Sequence, residues 1–120
     1  MKLAILLSTY NGMDYLEEQV DSIIAQTYTD WKLYIRDDAS TDATVALIKR
    51  LADTDPRIIN ISSSGNLGAK ESFMWMLRNV EADYYMFCDH DDVWLPKKVE
   101  LTLKRMQEAE AEHSGSPVIA

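Results

Sequence analysis

A chain of 120 residues with 47% hydrophobic content can bury one core and leaves no room for a second full domain. Its 20 acidic and 12 basic residues give a formal net charge of −8, and no Lys/Arg cluster appears, which argues against nucleic acid as a partner. The single cysteine, Cys88, excludes an internal disulfide, and no apolar run approaches the roughly 18 residues of a membrane span, so the chain is expected to be cytoplasmic.

In chain order, Leu3 to Leu7 is an unbroken apolar run that predicts a strand buried on both faces, too short and too poorly flanked for a signal peptide. After the Asn11-Gly12 turn, Leu16, Val20, Ile23 and Ile24 recur at helical spacing. Trp31 to Ile35 predicts a second strand, stopped by Asp37-Asp38. Ser40 or Thr41 stands where a second helix would be capped, with Leu47, Ile48 and Leu51 on its apolar face and Asp55-Pro56 at its end. Ile58 to Ile61 predicts a third strand. Beyond SSSGNLG, the spacing of Phe73, Met76, Leu77 and Val80 predicts a third helix, with Trp75 and the methionines in the core. Tyr84 to Cys88 is a fourth predicted strand. Pro96 suits the first turn of a fourth helix, marked by Val99, Leu103 and Met106, with Glu108, Glu110 and Glu112 on a solvated side. The polar stretch EAEAEHSGS then leads into PVIA, which begins another strand and raises the expectation that the chain was cut from something longer.

This alternation predicts one α/β domain over residues 1–120, a mostly parallel sheet with right-handed crossovers and helices on both faces. Ligands of such sheets bind outside the carboxyl ends of the strands, here STYNG, RDDAS, SSSGNLG and CDHDD.

Asp89 and Asp91, two apart in an extended segment, point the same way and can converge on one hard cation, Mg²⁺ or Mn²⁺, with Asp92 joining them or capping the next helix. The other reading is that Asp91 and Asp92 only begin that helix, where acidic groups meet the dipole favourably. Three carboxylates in four residues favour the metal, because clustered charge is costly without a counter-ion. Asp37 and Asp38 offer acceptors to a base or ribose, or serve as ordinary turn acids. Asp42 suits the dipole of the second helix. Ser8, Thr9, Tyr10, Asn11 and Gly12 supply hydroxyls, amides and an aromatic face that suit a nucleoside, though taken alone they read more simply as a surface tyrosine beside an Asn-Gly turn. Gly65 to Gly68 could let backbone approach a ligand, with Lys70 reaching toward phosphate, yet the loop lacks GxGxxG and GxxxxGK[ST]. His90 and His113 have no zinc-ligand spacing to Cys88. Trp94 could line a pocket mouth or simply pack.

Taken together, LLSTYNG, SIIAQTYTDWKLYIRDDASTDAT, the NLG turn and CDHDDVWLPKKVE resemble the nucleotide-binding half of family-2 glycosyltransferases, inverting enzymes with the GT-A fold, over residues 3 to about 105. FCDHDDVW is similar to members that add rhamnose or related sugars in cell-surface polysaccharide synthesis. The resemblance implies a Rossmann-like GT-A domain that binds a UDP- or dTDP-sugar. Thr9 and Tyr10 would contact the base, with Asn11 beside them, and Asp38 would meet the base or ribose with Asp37 adjacent. Lys70 would lie near phosphate. Asp89-His90-Asp91 would be the DxD motif, with Asp89 at the ribose or metal and Asp91 coordinating Mn²⁺ or Mg²⁺. The implied reaction is direct displacement at the anomeric carbon, with inversion, onto a saccharide or lipid-linked acceptor. The general base is expected beyond residue 120, so this chain is expected to bind nucleotide but transfer sugar poorly; membrane association would belong to a longer parent, at the inner face. Two rivals share the sheet layout. A phosphoacceptor receiver domain wants acids after strand one and a Lys after strand five, and a nucleotidyltransferase wants a basic Gly-rich loop after strand one; STYNG supplies neither. A non-catalytic nucleotide-binding module is the remaining alternative.

Overall fold

Leu3, Ala4, Ile5, Leu6 and Leu7 are all buried, so the first strand has no solvent face and must be covered from both sides. In the computed structural model, which describes residues 2–62, 65–88, 92–112 and 118–119, this segment is β1 (Leu3–Thr9). It lies at the centre of a parallel sheet of order β3-β2-β1-β4-β5, with β2 (Lys32–Asp37), β3 (Ile58–Asn60), β4 (Tyr84–Cys88) and β5 (Val118–Ile119). The helices α1 (Leu16–Ile24), α2 (Thr44–Thr54), α3 (Ala69–Asn79) and α4 (Lys98–Glu112) alternate with the strands as the pattern predicts.

The two-residue period of the strands divides the core. Leu3, Ile5 and Leu7 of β1 pack with Leu33, Ile35, Met86 and Cys88 under α1, α2 and α4. Ala4 and Leu6 face the other way, toward Met76, Val80 and Tyr85, beneath α3. The steps β1 to β2 and β2 to β3 move one way across the sheet with their helices on one face, and β3 to β4 returns with α3 on the other. These three crossovers share one hand. The step from β4 to β5 also moves in the return direction, but α4 lies on the α1 and α2 face, so the expectation of one uniform hand fails there. β5 pairs through only two residues, which gives strand twist little to act on.

Four local expectations are corrected. Neither Ser40 nor Thr41 caps α2, which starts at Thr44, because Ser40 is drawn back to Asp37 and Ala39 turns the chain at φ 63°. Pro96 precedes α4 instead of entering its first turn, its carbonyl accepting from Thr27 N at 2.9 Å. Met74 is exposed and Trp75 only half-buried, on the sparsely covered α3 side. Glu110 is not simply solvated, since its carboxylate accepts the hydroxyl of Tyr84.

Candidate functional site

All parallel strands of the sheet end on one edge, which gathers the loops after β1, β2 and β3. The first two loops are laced together. Asn11 N donates to Ser40 Oγ at 2.8 Å, Thr41 N donates to Asn11 Oδ1 at 2.8 Å, and Gly12 N donates to Thr44 Oγ1 at 2.9 Å. Asn11 can serve this way because it adopts the left-handed conformation at φ 49°, which Asn tolerates better than most residues. Asp38 N donates to Thr9 O at 2.8 Å, continuing the β1–β2 ladder beyond the strands.

Thr9 is 3% exposed, and its Oγ1 has no hydrogen-bond partner among the described residues. A Cβ on Gly12 would stand 2.4 Å from that oxygen, so glycine is what allows the turn to pass so close. A buried hydroxyl without a partner is costly, and a ligand group that bonded it would recover that cost. Tyr10 leaves 46% of its surface exposed at the rim. Asp42 caps the amide of Thr44 at 2.9 Å, and the Thr44 hydroxyl beside its carboxylate holds its pKa below the usual range.

The two adjacent aspartates have different roles. Asp37 turns toward its own loop and accepts from Ser40 N at 2.9 Å and from Ser40 Oγ. Asp38 turns toward the loop after β3. Its Oδ1 accepts from Arg36 Nη1 at 2.6 Å and Leu67 N at 2.7 Å, and its Oδ2 accepts from Gly68 N at 3.0 Å. Burial pushes its carboxyl up, but the amides of Leu67 and Gly68 together with Arg36 outweigh this and hold the pKa below the ordinary carboxylate value. The sequence reading placed Asp38 against a base or ribose; the structure engages both of its oxygens internally. Gly65 and Gly68 lie at φ 92° and φ 81°, in conformations suited to glycine, and α3 begins directly after Gly68. Lys70 is exposed on the first turn of α3.

Arg36 was not singled out from the sequence. Besides Asp38, its guanidinium donates to Ser72 Oγ at 3.0 Å and Gly65 O at 3.1 Å, and Ser72 Oγ in turn meets Ser8 Oγ at 2.6 Å. The signal available was an arginine inside a buried strand, directly before two acids.

Asp89, His90 and Asp91 lie outside the described residues, so the metal reading of Asp89 and Asp91 rests on the sequence. Asp92 is half-exposed, with Lys98 Nζ 3.9 Å from its carboxylate. Among the described residues no three His, Cys, Asp or Glu side chains gather as a cation would need. The chain on either side of 89–91 is nevertheless tied to α1 and the turn after it. Gln19 Nε2 donates to Cys88 Sγ at 3.5 Å, Trp94 N donates to Ser22 Oγ at 3.0 Å, and Gln26 donates to Leu95 O at 2.7 Å while accepting from Val99 N at 2.9 Å. Gln26, like Arg36, escaped the sequence reading. Trp94 is buried and packs in the core.

Comparison with known proteins adds an independent line. The family model for glycosyl transferase family 2 matches residues 4–118. The chain is 36% identical over 119 residues to the dTDP-rhamnosyl transferase RfbG of Shigella flexneri, covering 95% of this chain and 41% of that protein. It is 32% identical over 106 residues to the putative teichuronic acid biosynthesis glycosyltransferase TuaG of Bacillus subtilis, covering 88% and 42%. The chain thus spans about two-fifths of the length of these relatives. Among solved structures, S. aureus TarS 1-349 in complex with UDP-GlcNAc superposes with a TM-score of 0.74 at 25% identity, over 94% of this chain and 32% of that one. The mannosyltransferase PcManGT from Pyrobaculum calidifontis, in complex with GDP-Man and Mn²⁺, superposes with a TM-score of 0.71 at 26% identity, over 78% and 28%.

Proposed function

We propose, for a chain that belongs to glycosyl transferase family 2, that residues 1–120 form the part that binds a nucleoside-diphosphate sugar, at the carboxyl edge of the sheet. The observation that carries this is the loop edge itself. A buried Thr9 hydroxyl with no partner among the described residues and the exposed ring of Tyr10 stand on the β1 loop, held against the β2 loop by the bonds of Asn11 to Ser40 and Thr41. A planar base needs a stacking face and a few fixed polar atoms, and this edge offers both. Asp38 contributes by shaping the loop after β3, and Lys70 stands where a diphosphate could be met.

The donor is a UDP- or dTDP-sugar on this reading, supported by the dTDP-rhamnosyl transferase relative and by the neighbour solved with UDP-GlcNAc. Cell-surface polysaccharide synthesis on a saccharide or lipid-linked acceptor is supported by the teichuronic acid relative. Transfer is by displacement at the anomeric carbon with inversion. The bond from that carbon to the diphosphate oxygen breaks as the bond to the acceptor oxygen forms, and the acceptor proton passes to a general base.

A divalent cation fits the oxygen-donor chemistry of Asp89 and Asp91, with Asp92, next in sequence, half-exposed and paired with Lys98 at 3.9 Å. Mn²⁺ in the mannosyltransferase neighbour supports this assignment. When bound, the cation would neutralise charge on the departing diphosphate. The residues of this chain bind and orient the donor: Thr9 and Tyr10 hold the base, Asn11 keeps their loop against the loop after β2, and Asp37 braces Ser40 there.

Calorimetric titration with UDP, dTDP and GDP, with and without Mn²⁺, tests the reading on the wild type and on Asp91→Ala. Metal-dependent binding by one nucleotide, lost in Asp91→Ala, is expected. Absence of binding by all three would refute it.

A further inference from the structure

Among the described residues Arg36 has the largest of the fully buried side chains, and a guanidinium without solvent is an expensive thing to fold around. For stability alone an apolar residue at this position would serve as well, because a buried ion pair rarely outperforms well-packed hydrophobic replacements. What an apolar residue cannot do is direct its neighbours.

The Arg36 fork reaches Asp38, Ser72 and Gly65 at once, with the ring of Trp75 5.6 Å from its centre. Those partners belong to the end of β2, the second turn of α3 and the loop between β3 and α3. Asp38, held by the same fork, grips the amides of Leu67 and Gly68, and Asn66 Nδ2 closes the circuit on Asp38 O at 3.1 Å. One guanidinium therefore sits at the hub of four residues of a loop whose two glycines would otherwise leave it little intrinsic preference. Being fully buried, Arg36 cannot touch a ligand.

We propose that Arg36 is a positioning residue of the nucleotide site: through Asp38, Gly65 and Ser72 it sets the shape of the 65–68 loop and the place of Lys70 at the sheet edge. This rests on the donor-site reading above. Lysine cannot replace arginine in this role, because a point charge can pair with Asp38 but cannot also span Ser72 and Gly65.

The test compares the wild type with Arg36→Lys, measuring urea unfolding, amide exchange at Leu67 and Gly68, and affinity for UDP, dTDP and GDP in the presence of Mn²⁺. Arg36→Lys is expected to stay folded, to exchange faster at those two amides than at β1 amides, and to bind the preferred nucleotide about tenfold more weakly or worse. Wild-type exchange and wild-type affinity in Arg36→Lys would overturn the proposal. Should that variant not fold, Arg36→Met combined with Asp38→Leu strands no charge and carries the test. A folded double variant that binds like wild type overturns the role. If the wild type binds none of the nucleotides, the donor-site reading itself fails. If it binds and the variants bind equally well, only the role of Arg36 fails.

Discussion

On the faces of the sheet, Ile5, Leu33 and Ile48 are buried by apolar neighbours that could exchange for others of similar volume. At its carboxyl edge, Arg36, Asp38 and Ser72 are equally buried but are held by directional bonds to named atoms. The faces hold the fold together through area removed from water, so a defect there lowers global stability and leaves the loops where they are. The edge places groups. A defect there is expected to be felt first in the loops that would meet a ligand, and only second in the fold.

The largest effect that would sharpen this contrast is a cavity on a face. Leu33→Ala empties a side chain with no exposed surface and should cost about 2–5 kcal/mol in urea unfolding, with the exchange pattern among loop amides keeping its relative order. Asp38→Asn comes next. It leaves the Arg36 charge facing a neutral amide and should cost about 3 kcal/mol, reduced if water reaches the pair. Because the Asp38 carboxyl is held below its ordinary pKa in the fold, its contribution is complete above the unfolded value near 4 and is lost as pH falls through the folded value. Acid unfolding of Asp38→Asn should lack that component, and a curve identical to wild type below pH 4 would contradict the assignment.

Gly68→Ala probes the edge without removing a bond. Nothing lies within 4 Å of the added Cβ, so the cost comes from backbone alone at φ 81° and should be about 1–3 kcal/mol, with faster exchange at Leu67. A cost near zero would mean the loop relaxes freely, and the edge would then be less directional than its bonds imply. The smallest effect is expected outside both regions. Arg50 and Glu17 pair at 2.7 Å with both side chains more than half exposed, so Glu17→Gln should change stability by less than about 1 kcal/mol, and that little should fade in salt.

The strands and helices were legible in the sequence because their signals are local. An unbroken LAILL can only be buried on both faces, and Leu16, Val20 and Ile23 share one helix face by spacing alone. The edge that carries the candidate site was legible to the same depth. Strict alternation forces parallel strands, parallel strands end on one edge, and the polar clusters after β1, β2 and β3 had to meet there. The acidic cluster at 89–91 was also visible, although its arrangement lies outside the described residues.

Tertiary structure alone decided which polar side chains face each other. Asp37 and Asp38 are neighbours of the same chemistry, and nothing local says that one will bond its own turn while the other crosses to Leu67 and Gly68. Gln26 binds Leu95 and Val99, and Arg36 binds Gly65 and Ser72, partners far away in sequence that meet only once strand order is set. Apolar burial is non-directional and leaves a periodic trace along the chain, whereas a hydrogen bond links two particular atoms and leaves no trace in the spacing of either partner.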